Sequence, residues 1–223
     1  MARLLIAALA VCTVVSVASA DVLWDQGDVL SDVNALVDQE FADFPDFSSY
    51  MVMDVVVPAG GWNIEEVTTY FTNQTFAWYG VTDARLNIFD KTGALPAAGD
   101  DPTTGTSVGV SVTDSAFGGL EVVAAGLDID LAAGEYWIGL TPIADFAAFG
   151  QEFHQAVTPV VGEDTAWRNP LGGFGYGTDW QTTAAISTDW VGVYDAAIEI
   201  AGTPEPASLM LLGLGAVAVI RRR

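Results

Sequence analysis

One histidine, one cysteine and a large surplus of carboxylates set the chemistry open to this chain of 223 residues. A Ser–His–Asp arrangement has to use His154, yet no Gly-x-Ser-x-Gly elbow accompanies it and no serine neighbours a recognisable oxyanion loop. A zinc site draws on several His or Cys ligands, which a single His154 cannot supply, so no metal ligand is assigned. His154 reads as a loop or strand-end residue hydrogen-bonded to its surroundings. Glycoside hydrolysis needs only two carboxylates roughly 5 to 10 Å apart. Among so many acids no pair stands out, and no catalytic residue is named.

The most distinctive internal segment is Gly172-Gly173-Phe174-Gly175-Tyr176-Gly177, followed by Thr178-Asp179-Trp180. Its glycines invite a phosphate cradle, but the lysine and Ser/Thr of that motif are missing and the surroundings are acidic. Its aromatic rings invite a different partner. Phe174, Tyr176, Trp180 and neighbouring Trp167 form a candidate carbohydrate-binding set, because an aromatic face offers apolar area to a sugar ring. The competing reading is a Gly-rich connection whose aromatics cover a sheet edge.

Strands must position these residues. Short β-rich runs separated by Gly, Pro, Asn and Asp occur at Met51–Val57, Trp62–Thr72, Arg85–Asp90, Ser107–Thr113, Leu120–Ala124, Leu127–Leu131, Glu135–Leu140 and Trp190–Ala201. In the second run Ile64, Val67, Thr69 and Phe71 compete for the inner face. Ala132-Ala133-Gly134 predicts a hairpin into Glu135–Leu140, with Tyr136 and Ile138 on one face and Trp137 on the other. Residues 91–105, with Pro96, Gly99, Asp100-Asp101 and Pro102, predict an exposed loop. Only Val29–Phe41 carries helical spacing, through Leu30, Val33, Leu36, Val37 and Phe41. The pattern predicts an all-β, jelly-roll-like β-sandwich over residues 21–202.

The ends are of another character. Residues 1–20 read as a secretory signal peptide for Sec-type export: Arg3, an apolar stretch over Leu4–Val17, then Ala18-Ser19-Ala20 as the small-residue cleavage site. Cys12 falls inside it, which leaves the body without a thiol or a disulfide. At the other end Thr203-Pro204-Glu205-Pro206 precedes an apolar run from Ala207 to Ile220, and Arg221, Arg222 and Arg223 follow. As a helix that run spans about 21 Å, against a bilayer core of about 30 Å. It therefore predicts a short transmembrane helix that crosses only with arginines snorkelling to the cytoplasmic headgroups.

The whole chain holds 29 acids against 7 Lys and Arg. Setting aside Arg3, Glu205 and Arg221–Arg223 leaves 28 against 3. A body this acidic has no surface for nucleic acid or anionic lipid. Calcium is the one ion such charge invites, although Asp100-Asp101 and Asp128-Ile129-Asp130 form neither an EF-hand nor a glycine–aspartate repeat. No other cofactor is expected.

The tail resembles the PEP-CTERM sorting signal of exported bacterial proteins, through Pro204, Glu205, Pro206, the 207–220 span and the terminal arginines. The resemblance covers residues 203–223. It implies recognition by an exosortase, a membrane-embedded processing enzyme, processing near Pro204, and transient inner-membrane anchoring before delivery to the cell surface or an exopolysaccharide matrix. The Gly60-Gly61-Trp62 turn, Gly134–Ile138 and Ala197–Ile200 also resemble β-sandwich ectodomains found before such tails. The resulting expectation is an exported, non-catalytic structural or interaction sandwich. A carbohydrate-binding module is the alternative, and a carboxylate-dependent hydrolase a further one.

Overall fold

Alternating apolar residues bounded by turn formers produce strands almost throughout. The computed structural model describes residues 20–26, 29–72, 76–157, 162–186 and 195–205. In chain order the strands are β1 (Asp21–Asp25), β2 (Val29–Val37), β3 (Tyr50–Val57), β4 (Trp62–Phe71), β5 (Asp83–Asp90), β6 (Thr106–Gly109) and β7 (Ser111–Asp114). There follow β8 (Leu120–Leu131), β9 (Gly134–Pro142), β10 (Phe153–Val157), β11 (Ala166–Arg168), β12 (Gln181–Thr182), β13 (Asp195–Ala196) and β14 (Ile198–Pro204). Among the described residues two single-turn α-helices, α1 (Phe146–Phe149) and α2 (Thr183–Ile186), interrupt them.

The strands form two sheets. The eight-stranded sheet runs β1-β14-β4-β10-β13, with β2 on β10 and with β8, then β7, along the other edge of β4. The six-stranded sheet runs β12-β11-β3-β9-β5-β6. Their inner faces meet in a core that includes Ile64, Val67, Phe71, Leu120, Val122, Ile198 and Ile200 from the first sheet, and Met51, Met53, Val55, Leu86, Ile138 and Leu140 from the second. Tyr50, Val52, Trp137 and Trp180 make a smaller cluster on the other face of the six-stranded sheet, with Phe89 and Leu95 packed against it. The 91–105 segment lies over this cluster: the Trp180 indole donates to Asp100 O, 2.9 Å away.

The competition in β4 has a simple resolution. Ile64 and Val67 are three residues apart, yet both are fully buried. A bulge against β14, where Ile64 and Glu66 face the adjacent Gly202 and Ala201, takes up the extra residue and returns Val67, Thr69 and Phe71 to the inner face.

Two expectations are corrected. The helical spacing of Val29–Phe41 does not give a helix; the backbone of Val29–Val37 is a strand on β10. Register shifts on either side of Gln155 spread the β2 partners over more residues than β10 presents. The Ala132–Gly134 turn does not make a hairpin either. It carries the chain from β8 in one sheet to β9 in the other, where β9 pairs with β3 and β5. Among the described residues no helix is long and apolar enough to cross a membrane. The 207–220 span and the 1–19 part of the expected signal peptide lie outside the described residues.

Register fixes the two poles of the sandwich. Asp21 faces Gly202, Pro204 faces Trp62, Trp62 also faces Leu131, and Val57 faces Gly134, so all of these lie at one pole. Tyr50, Phe71, Leu120, Pro142 and Arg168 lie at the opposite pole, about 30 Å away along the ten residues of β4.

Candidate functional site

The second pole carries the chemistry that the sequence scatters. Phe41-Ala-Asp-Phe44-Pro-Asp-Phe47 leads into β3, α1 follows β9, and the Gly-rich segment follows β11. Phe41, Phe44, Phe47, Phe146, Phe174 and Gln151 line a cavity of about 290 Å³ between them. Phe44, Phe47 and Phe146 are 48 %, 42 % and 47 % exposed, unusually open for rings of that size. They meet edge to face: Phe44 and Phe146 at 5.8 Å, Phe47 and Phe174 at 5.3 Å.

Polar groups underneath hold the rings in place. The fully buried Asn169 amide donates to Asp46 O at 2.7 Å and Ser48 O at 2.8 Å, while its oxygen accepts from Phe174 N at 3.0 Å. Gly173 N donates to Asp46 O at 2.9 Å. A side chain on Gly173 would run into the Asp46 carbonyl group, so only glycine lets the two loops touch. On the α1 side, buried Gln39 donates to Ala144 O and Gly150 O and accepts from Glu152 N. Asp43 accepts from Phe146 N and Ala147 N at 2.8 and 2.9 Å. The slight burial of Asp43 pushes its carboxyl up, but these N–H groups outweigh it and hold the group below the ordinary carboxylate range.

Of the four aromatics expected to stack on a ligand, Trp167, Phe174 and Tyr176 are brought together, and Trp180 lies on the other face of the six-stranded sheet. Trp167 is buried, its indole donating to Val37 O at 2.9 Å, and Trp180 is buried in the smaller cluster. Neither offers a face to a solvent-borne sugar, because each ring fills the junction between a sheet and its covering loop. Phe174 is half-buried in the cavity wall, and Tyr176, 51 % exposed, stands edge-on to Trp167 at 6.2 Å. The residues that sequence reasoning missed are Phe41, Phe44, Phe47 and Phe146. A phenylalanine every third residue from 41 to 47 was the available signal.

His154 lies in β10 and is fully buried. Its Nδ1 is 2.9 Å from Asp38 Oδ2 and its Nε2 is 2.8 Å from Ala197 O. A carbonyl oxygen only accepts, so Nε2 carries a proton and donates it there. Asp38 also accepts from Thr141 Oγ1 at 2.6 Å and Met51 N at 3.1 Å. Burial pushes the Asp38 carboxyl up, and the His154 contact pulls it part of the way back. With no exposure and both ring nitrogens engaged, this pair braces the fold.

All three cations of the body are committed to internal contacts. Arg85 grips Glu40 with two nitrogens at 2.9 and 2.7 Å, and this raises its already high pKa. Lys91 meets Asp54 and Glu135, each at 3.2 Å, and lies 5.7 Å from the centre of the Trp137 ring. Arg168 donates to Thr178 O and Asp100 O. Across the first sheet, Glu199 is pushed up by burial and then by Asp25, Glu66 and Glu121. The neighbouring Tyr70 phenol is pushed up to about 12, by burial and by the same carboxylates. Asn63 donates to both Asp128 and Asp130 at 2.8 Å. Among the described residues no three His, Cys, Asp or Glu side chains are arranged to hold a metal ion.

At the first pole, the sorting-motif residues Pro204 and Glu205 are visible at the end of β14, and Ala20 is exposed beside Asp21. Ala18, Pro206 and Arg221–Arg223 lie outside the described residues. A family model of the PEP-CTERM protein-sorting motif matches residues 203–223. No curated protein matches the chain. The C-terminal segment is therefore a PEP-CTERM protein-sorting motif, and the chain is a substrate of the exosortase type that carries this motif behind a β-rich body.

Proposed function

We propose that this protein is exported by Sec-type machinery, held briefly in the inner membrane by its C-terminal span, and released by an exosortase-type enzyme to the cell surface or matrix. The sandwich is a non-catalytic interaction module that needs no cofactor. One observation carries the reading: the sorting motif begins on the last two residues of β14, at the pole opposite the aromatic cavity. A tail held at a membrane then points the cavity away from it. The acidic surface, with its cations engaged internally, favours solubility outside the cell over adhesion to anionic lipid.

Glu205→Ala, or deletion of Arg221–Arg223, tests the sorting step. Both variants should leave unprocessed chain in the membrane fraction, and normal release of both would sink the proposal.

A second reading is that the cavity binds carbohydrate, and the open Phe44, Phe47 and Phe146 rings beside Phe174 favour it. Phe174→Ala should abolish retention on an extracellular polysaccharide column that holds the parent protein. Equal retention of the two would remove the cavity from consideration. Trp180→Ala is a poorer reporter, because it also opens the smaller core.

A further inference from the structure

The sorting motif begins inside the folded body. Thr203 pairs with Asn63 and Pro204 with Trp62 as the last rungs of β14 on β4, and Glu205 N donates to Gly61 O at 3.0 Å. The turn beneath is shaped for this contact. Gly60 and Gly61 have φ of +118° and +85°, which side-chain-bearing residues rarely adopt. A Cβ on Gly60 would stand 3.4 Å from Glu205 O, and one on Gly61 3.6 Å from Glu205 Oε2 and 2.6 Å from Leu131 O. The bare glycine pair thus forms a seat on which Glu205 rests, next to Trp62, which is anchored in the core.

A chain-cleaving enzyme has to draw several residues around the scissile bond into its own cleft, away from existing backbone partners. Paired strand is cut only after local opening. Up to Gly202, β14 is held on both sides, by β1 and β4; from Thr203 to Glu205 it is held by β4 and the glycine turn. We propose that the processed bond lies on the carboxyl side of Glu205, so that the mature protein keeps Thr203, Pro204 and Glu205 as the end of a sheet strand. In that step one peptide C–N bond breaks. The acyl carbon passes to water, or to an acceptor amine or hydroxyl, whose proton goes to the leaving amine. The inference rests on the proposed sorting, and it adds that the fold of the body limits which bonds of the motif are available. The exposed Ala20 and the motif lie side by side, since Asp21 faces Gly202, so both processing events would take place at one pole.

The test is intact mass with C-terminal fragmentation of the full chain, expressed in an exporting host that carries the processing enzyme. A released product ending at Glu205 or later is the expected result. An end at Pro204 or upstream would overturn the inference while leaving the sorting proposal standing. Product that retains Arg223 throughout would overturn the sorting proposal, and this inference with it. Hydrogen exchange on the released protein gives an independent reading. The Glu205 amide should exchange at least about 100-fold more slowly than in an unstructured peptide, and exchange at the unstructured rate would also overturn the seat.

Discussion

The two poles of this sandwich are built on opposite principles. At the tail pole backbone does the work: a glycine turn, strand rungs and a main-chain hydrogen bond receive Thr203–Glu205, and the side chain of Pro204 remains exposed. At the aromatic pole side chains do it: five phenylalanines wall a cavity, and the amides of Asn169 and Gln39 fix the loops that carry them. A backbone seat accepts a short extended segment with little regard to its side chains, which suits a processing tail. A ring-walled cavity selects by shape and polarity, which suits a ligand. The aromatic cavity and the sorting tail are separated by the length of a strand, so on the proposed reading either can be altered without the other.

The largest effect is expected beneath the aromatic pole. Asp38→Ala leaves His154 Nδ1, Thr141 and Met51 N without their partner in a dry interior, and should cost about 4 kcal/mol in chemical denaturation. A loss below about 1 kcal/mol would mean that this network does not brace the pole. Next comes the tail pole. Gly61→Val forces a β-branched residue into a left-handed backbone against Leu131 O, and should cost about 2 kcal/mol. It should loosen Thr203–Glu205 and leave ligand retention at the far pole intact; loss of both would break the separation argued above.

Phe174→Ala is expected to be milder for stability, at about 1 kcal/mol, because it removes ring contacts with Phe47 and Trp167 from a half-open site. Its effect on ligand retention should be complete, while processing continues at the parental rate. The smallest change is a control between the poles. Glu199→Gln should raise stability by about 0.5 kcal/mol at neutral pH by relieving repulsion with Asp25, Glu66 and Glu121. The sign follows from linkage. The folded state holds the Glu199 proton more tightly than the unfolded chain does, so its contribution is present in acid and is lost as pH rises through its raised folded value. Thermal melts of the parent should therefore show this part of the stability returning on acidification, and the variant should lack it. Added salt or calcium should act in the same direction by screening.

Strand positions were legible because each rests on a local pattern. Met51, Met53 and Val55 alternate into the core, and Ile138 opposes Trp137 as the residue order of β9 dictates. The helical spacing of Val29–Phe41 misled because backbone pairing of Val29–Val37 with the distant β10 overrides a local pattern. The turn at Ala132–Gly134 was legible as a turn but not as a passage between sheets, since both connections use the same small residues. Within the Gly-rich segment Phe174 lines the cavity and Tyr176 is exposed. Trp167 and Trp180 are buried, because the junctions they fill exist only once β11 has paired with β3 and residues 91–105 have folded back.

By itself the sequence determined the acidity of the body, the absence of any thiol beyond Cys12, the strand-forming runs and the sorting tail. Each of these is carried by composition or by neighbours a few residues apart. Only the tertiary structure decided which aromatics face solvent, that phenylalanines from three distant segments share one cavity, and that the tail begins on the sheet at the opposite pole. Burial and proximity are properties of long-range strand pairing, and no local pattern encodes which strands will meet.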